Sequence, residues 1–374
     1  MTMIACTIND RFPIIHSDIL TTSTDRPETF YVPALTANLM DVLPEGAGYY
    51  PIGLQRKVTL LNDRTCFAFA GSVAEAKKLL EDLKTYCRIM GDISKDQLFQ
   101  FLEEYGVSDD IDCFIVVMED SGEGYVPQVI YCNNCQINDI PVFGKTLLLG
   151  SGGPDFLKAA SDVVWSLSTT PTSPVEAVEM NMALVTGILS NERAYQKTLK
   201  NFWGAGMETI YWDGERFVRL EQTTFVFHHW FKNTLDDVNH PVPVKVTHYQ
   251  YIDEMLLIVD LISPNWQVES APDKYTFTLE DLSFGIFAVH GIDHKSAVDW
   301  AKAKKHLSFS STFVGMGYII IDGLHVSGPS GFHGIKDAFV EYQHPDILRI
   351  EVKRTVYDRI KSAFDNSQFN ALND

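Results

Sequence analysis

The chain opens on a short apolar run, Met3 to Ile8, rich in β-branched residues. Asn9-Asp10-Arg11 is a polar turn, and Phe12 to Ile15 resumes the apolar run, so the pattern predicts strand, turn, strand. Residues 23–52 are irregular and hold four prolines, which predicts a long loop or insertion. Lys57–Leu61 and Thr65–Ala70 form a second hairpin around Asn62-Asp63-Arg64. From Ser72 the period lengthens. Val73, Ala76, Leu80, Leu83, Cys87 and Met90 recur at helical spacing, and Leu98, Phe101, Leu102 and Tyr105 mark a second helix over 96–105.

Strands return at Cys113–Met118, Gln128–Cys132 and Thr146–Leu149. Gly150-Ser151-Gly152-Gly153-Pro154 leads into a helix, and Ser173-Pro174-Val175-Glu176 has the signature of a capping box opening another to about Ser190. Asp213-Gly214 reads as a two-residue hairpin turn. This order predicts an α+β fold whose sheet pair is flanked by helix pairs, a four-layer αββα sandwich over 1–225. Residues 226–374 read as a separate, mainly β module. Its strands are expected near 242–246, 255–262, 274–278, 284–289, 318–321 and 347–352, its helices near 297–307 and 356–364, and a polar tail over 365–374.

Composition narrows the partners. The chain has 374 residues, 45% of them hydrophobic, enough for more than one core. Its formal net charge of -19 repels phosphate backbones and anionic lipid, which argues against nucleic acid and membrane as partners. No apolar run nears the roughly 20 residues of a membrane helix, and the start lacks the features of a signal peptide. A cytoplasmic protein is the expectation. The six cysteines all precede residue 140 and are expected to be reduced there. Cys132-Asn-Asn-Cys135 is a single C-x-x-C with no second pair, a weak metal or redox signal. Ten of the eleven histidines lie between His228 and His344. Their scatter favours structural roles over a ligand cluster, so neither a metal nor a cofactor is expected.

Two segments resemble a known family. LQRKVTLLNDRTCFAFAGSVAEAKKLL (54–80) and KTLLLGSGGPDFLKAASD (145–162) are similar to motifs of the proteasome β-subunit and its bacterial ring-protease relative, N-terminal-nucleophile hydrolases. The resemblance covers roughly residues 2–225. It implies Thr2 as nucleophile once Met1 is removed, Asp18 and Lys57 as its charged partners, Gly71 as the oxyanion-hole glycine and Ser151 beside the nucleophile. Thr22 matches a threonine whose backbone pairs with bound peptide. Thr21, Gln55, Phe69 and Val73 match positions lining the main specificity pocket, where the bulk of Phe69 predicts a shallow apolar pocket. Two departures stand out: the stretch between Asp18 and Lys57 is longer than the family's, and Asn201 and Gly204 fall where proteasome subunits carry an aspartate and a serine.

The chemistry is coherent on its own terms. A threonine hydroxyl needs a base, and the α-amine of an N-terminal threonine, with a pKa of about 8, is one. A buried Lys57 paired with Asp18 favours deprotonation of the hydroxyl, and an amide at Gly71 can meet an oxyanion. Taken singly, Thr2 is a common second residue, Asp18 a strand-end cap, Lys57 a solvated lysine and Gly71 a turn; their joint order is what carries weight. The sequence thus points to a threonine peptidase acting on peptides or unfolded protein. The alternatives are an idle structural or assembly subunit and a small-molecule amidohydrolase. A homo-oligomer is expected, with the C-terminal module as a possible docking surface for a protein partner.

Overall fold

The computed structural model describes residues 2–33, 35–164, 170–231, 242–263, 265–293, 298–308, 311–322, 325–327, 330–334, 337–343, 347–356 and 358. It is a mixed α+β structure, mostly β-sheet, with six α-helices among the described residues. In chain order the first part runs β1 (Ile4–Asn9), β2 (Phe12–Asp18), β3 (Leu20–Ser23), β4 (Tyr50–Arg56), β5 (Val58–Asn62), β6 (Thr65–Gly71), α1 (Val73–Met90), α2 (Lys95–Tyr105), β7 (Ile111–Asp120), β8 (Tyr125–Cys132), β9 (Gln136–Ile140), β10 (Gly144–Leu149), α3 (Gly153–Val164), α4 (Pro174–Tyr195), α5 (Lys197–Lys200), β11 (Met207–Trp212) and β12 (Phe217–Arg219). The second part adds β13 (Thr223–Phe231), β14 (Val242–Ile252), β15 (Met255–Ile262), β16 (Asn265–Ser270), β17 (Lys274–Glu280), β18 (Ser283–Gly291), α6 (Trp300–His306), β19 (Phe313–Asp322), β20 (His325–Ser327), β21 (Ser330–Gly334), β22 (Ala338–Gln343) and β23 (Ile347–Lys353).

Period-2 alternation distributes the first part between three cores. One sheet has the order β12-β11-β2-β1-β10-β9 and another β5-β6-β7-β8. Ile4 and Cys6 of β1 share a core with Cys66, Ala68 and Ala70 of β6 and with Phe114 and Val116 of β7. The intervening residues of β6 and β7, Phe67, Phe69, Cys113 and Ile115, pack instead with Leu79, Leu80 and Leu83 of α1 and Leu98 of α2. Ala5 and Leu148 join Phe156 of α3 and Val185 of α4.

The helices expected from Ser72, over 96–105, after Gly153 and from Ser173 form where the sequence puts them. Ser72 accepts from the Glu75 amide at the start of α1. At α4 the reciprocal half of the expected box is absent, because the Glu176 carboxylate accepts from Thr172 rather than from Ser173. The tight hairpin expected at Asp213-Gly214 is a four-residue turn, with Trp212 opposite Phe217. The Asp213 carboxylate accepts from the Glu215 and Arg216 amides and so lengthens the loop.

The sequence boundary at 225/226 falls inside β13. That strand belongs to a nine-stranded sheet with the path β20-β19-β13-β14-β15-β18-β4-β3, with β21 also on β19. Phe225 and Phe227 enter the core around α4, whereas Val226 faces a further core closed by Phe277, Val340 and Ile350 of the sheet β16-β17-β23-β22. Gly315 and Gly317 explain how α4 is covered. A Cβ at Gly315 would sit 2.7 Å from the Thr186 hydroxyl, and one at Gly317 would overlap the Ser190 hydroxyl. Alternate glycines on β19 thus admit α4 residues one helical turn apart.

The stretch over 23–52 is irregular up to β4 but not detached. Val32, Leu39 and Met40 are buried in the α4 core, and Lys245 donates to the Pro33 carbonyl at 2.8 Å. Most of the helix expected over 356–364, and all of the tail, lie outside the described residues.

Candidate active site

β1 and β2 pair antiparallel, with Ile4 opposite Ser17. One step further the ladder closes on itself. The Asp18 amide donates to the Met3 carbonyl at 2.9 Å, and the Met3 amide donates to Asp18 Oδ1 at 2.8 Å. Thr2 is the next residue out. Asp18 is fully buried, and its carboxylate accepts from three further donors: Lys57 Nζ at 2.6 Å, the Leu20 amide at 3.3 Å and the Gly204 amide at 3.1 Å. A buried carboxylate is tolerated when its lone pairs are used in this way.

Lys57 is the single residue between β4 and β5. Besides Asp18, its ammonium donates to the Leu20 carbonyl at 2.7 Å. Burial lowers its pKa below the ordinary lysine value, and the Asp18 charge and hydrogen bond act against that shift.

Thr2 is buried, 6% exposed. The turn after β10 clasps it: the Gly152 amide donates to the Thr2 carbonyl at 3.0 Å. Gly150 has φ +77, and a Cβ there would overlap that carbonyl oxygen. Gly152 likewise leaves no room for a Cβ against Met3. Ser151 stands between these glycines and is exposed. Thr2, Asp18, Lys57 and Ser151 are therefore gathered by backbone and side-chain contacts.

Gly71 lies at the end of β6, the strand whose Phe69 amide donates to the Lys57 carbonyl at 3.2 Å. Its φ of +99 and the Asp110 carbonyl against its α-carbon exclude any side chain. Thr21 and Thr22 lie on β3, with a register shift between them. The Thr21 hydroxyl is buried and has no hydrogen-bond partner. Phe69 is covered, stacked on Phe67 with centroids 6.1 Å apart, and Val73 packs against the same core.

The Gln55 amide donates to the Ile19 carbonyl at 2.8 Å, and Gln55 lies opposite His290 where β18 runs parallel to β4. Just beyond, Ile292 is 4% exposed in the core that holds Phe69, and Asp293 pairs with Lys84 of α1. Chain from the C-terminal part thus closes the side on which Gln55, Phe69 and Val73 stand. A groove of about 750 Å3 lies elsewhere, between Asn62–Arg64 and the end of α1, and no candidate residue lines it.

Two participants escaped the sequence reading. Gly204, Ala205 and Gly206 all have positive φ, and the first two amides bind two buried acids: Gly204 donates to Asp18 and Ala205 to Glu192 Oε2 at 3.1 Å. Burial pushes the Glu192 pKa up to about 7, with Thr198 and Ala205 pulling the other way. The visible signal was Gly-Ala-Gly after a tryptophan. Nothing local says which acids its amides meet.

Arg56, one residue before Lys57, is also buried. It faces Glu208 at 3.8 Å and Glu254 at 3.7 Å. Nε and Nη1 of Arg56 and Oε2 of Glu208 have no hydrogen-bond partner.

His16 is fully buried between Thr209 and Asn181, and burial pulls its pKa down to about 4. Among the described residues no group of three or more His, Cys, Asp or Glu could hold a metal ion, and no helix is long and apolar enough to cross a membrane. A scan against protein-family models gives no match, and a search of curated proteins gives none either.

Proposed function

We propose that the chain is an N-terminal threonine hydrolase, a peptidase with Thr2 as nucleophile once the Met1–Thr2 bond is cut. On this reading the first part is a four-layer αββα sandwich of the N-terminal-nucleophile type. The carrying observation is the buried Asp18 carboxylate, which holds the Met3 amide next to Thr2 and the Lys57 ammonium at once.

Cutting the Met1–Thr2 bond frees an α-amine with a pKa of about 8, partly neutral near pH 7. The Thr2 hydroxyl attacks the scissile carbonyl carbon and passes its proton to that amine. Lys57, held cationic by Asp18, favours the oxygen anion, and the Gly71 amide receives the oxyanion. The proton then goes to the leaving amine, and water hydrolyses the acyl ester on Thr2. An open cleft of this kind would threaten every unfolded chain in the cytoplasm. A homo-oligomer with contacts through the C-terminal part belongs to the same proposal.

One observation favours a second reading. Thr2 is 6% exposed, and Ile292 is buried in the core that also holds Phe69, which suits an idle structural subunit. Thr2→Ala decides between them. Under the first reading the mature chain begins at Thr2, hydrolyses acyl-peptide reporters, and loses all turnover in the variant while its melting temperature is kept. Retained turnover in Thr2→Ala defeats the mechanism. An intact mass that keeps Met1, without turnover, selects the second reading.

A further inference from the structure

The two cysteines of Cys132-Asn-Asn-Cys135 do not face each other. The chain turns at Asn133, with φ 60, and Cys135 packs toward the core shared by β1, β6 and β7. Cys132 packs on the opposite side, with α1 and α2, and lies directly across the β7–β8 ladder from Cys113. Cys113 and Cys132 thus share one face of the β7–β8 ladder and one core. Directly opposed residues of an antiparallel pair have Cα atoms about 4.5 or 5.5 Å apart. Disulfides span about 4.4–6.8 Å between Cα atoms, a range that includes both separations.

The two thiols are unlike. Cys113 is fully buried, and Cys132 is half-buried. The neighbouring Cys113 thiol lowers the Cys132 pKa below the usual thiol value, while Cys132 and burial raise that of Cys113. Of the two, Cys132 is the one that solvent reaches, and the thiolate is the nucleophile, so Cys132 reacts first.

We propose that Cys113 and Cys132 are a reversible dithiol–disulfide site for low-molecular-weight disulfides such as oxidised glutathione. The Cys132 thiolate attacks one sulfur of the small disulfide, forms a mixed disulfide and expels a thiolate. Cys113 then gives up its proton and attacks the Cys132 sulfur, and a second thiolate leaves. The protein loses two protons and two electrons, and the small disulfide is reduced to two thiols. The site reaches the candidate active site along one transverse row of the sheet. Cys113 lies opposite Phe69, whose amide donates to the Lys57 carbonyl. The proposal does not rest on the hydrolase reading.

The full-length folded protein is incubated with excess oxidised glutathione, quenched with a thiol alkylator, digested and mapped by mass spectrometry. The expected product is a Cys113–Cys132 cross-linked peptide, with the protein lighter by two hydrogens and restored by dithiothreitol. Cys113→Ser should trap glutathione on Cys132, Cys132→Ser should leave Cys113 unmodified, and Cys135→Ser should leave the bridge intact. A bridge through Cys135 overturns the proposal. So does a wild-type protein whose Cys113 and Cys132 are recovered only as alkylated thiols. The wild-type map decides alone if a serine variant fails to fold.

Discussion

Arg56 and Lys57 are neighbours in the chain, both buried, and each faces a buried acid. Their surroundings differ completely. Lys57 is within 2.6 Å of an Asp18 carboxylate that also binds three backbone amides. Arg56 stands 3.8 Å from Glu208, with two of its nitrogens and one Glu208 oxygen unpartnered. The first pair is tied to backbone just before β1, on β3 and in the Gly204 loop, so its geometry is fixed by the fold. The second is held by shape: the Arg56 guanidinium lies 5.8 Å from the centre of the Tyr251 ring, whose hydroxyl donates to Glu208 at 2.9 Å. A buried ion pair contributes only when its remaining hydrogen-bonding groups are satisfied, so adjacent charges can differ sharply in worth.

Breaking the satisfied pair should have the largest effect. Asp18→Ala strands an ammonium and three amides, and the expected loss is about 3–5 kcal/mol in urea denaturation; a loss below about 1 kcal/mol would show that solvent replaces the carboxylate. Next comes the closure by the C-terminal part. Ile292→Ala truncates a buried side chain and should cost about 2–4 kcal/mol; an unchanged urea midpoint would mean that the segment lies loosely on α1.

Glu192 sharpens the contrast through pH. Its folded pKa, about 7, lies above its ordinary 4.5, so the folded state binds more protons between those values. The contribution to stability is therefore fully present below about pH 4.5 and is lost as pH rises through about 7. Glu192→Gln should flatten the decline between pH 5 and 8, and an unaltered slope would assign it to other groups. The smallest effect is expected at the poorly satisfied pair. Arg56→Met with Glu208→Gln removes both charges and keeps an acceptor for Tyr251, and it should change stability by less than about 1 kcal/mol, or increase it. A loss as large as that of Asp18→Ala would erase the difference between the two pairs.

Legibility followed the range of the interaction. The helical spacing from Val73 to Met90 was readable because a local period reports which face is buried, and β1, β2, β6 and β7 were readable as apolar runs bounded by polar turns. Asp18, Lys57 and Ser151 could be named as candidates through the resemblance of their segments to a known family and through their joint order, not from their residue types taken singly. The hydrogen bonds that join Asp18 to Met3 and Gly204 could not, since they connect positions 15 and 186 residues apart. The boundary at 225/226 illustrates the same limit. Thr223 to Phe231 has apolar residues on both faces, and nothing in that pattern says that Phe225 and Phe227 meet α4 while Val226 meets the other core.

The sequence by itself determined many of the strands, the helices of the first part and a short roster of chemically suggestive residues, because propensity, capping and period act within a few residues. Tertiary structure alone decided three further matters. It buried Asp18 with a complete set of donors, it left Arg56 with an incomplete one, and it paired Cys132 with Cys113 rather than with Cys135. Each depends on which strands become neighbours, and neighbour choice is set by the packing of whole faces, where no local pattern names the partner.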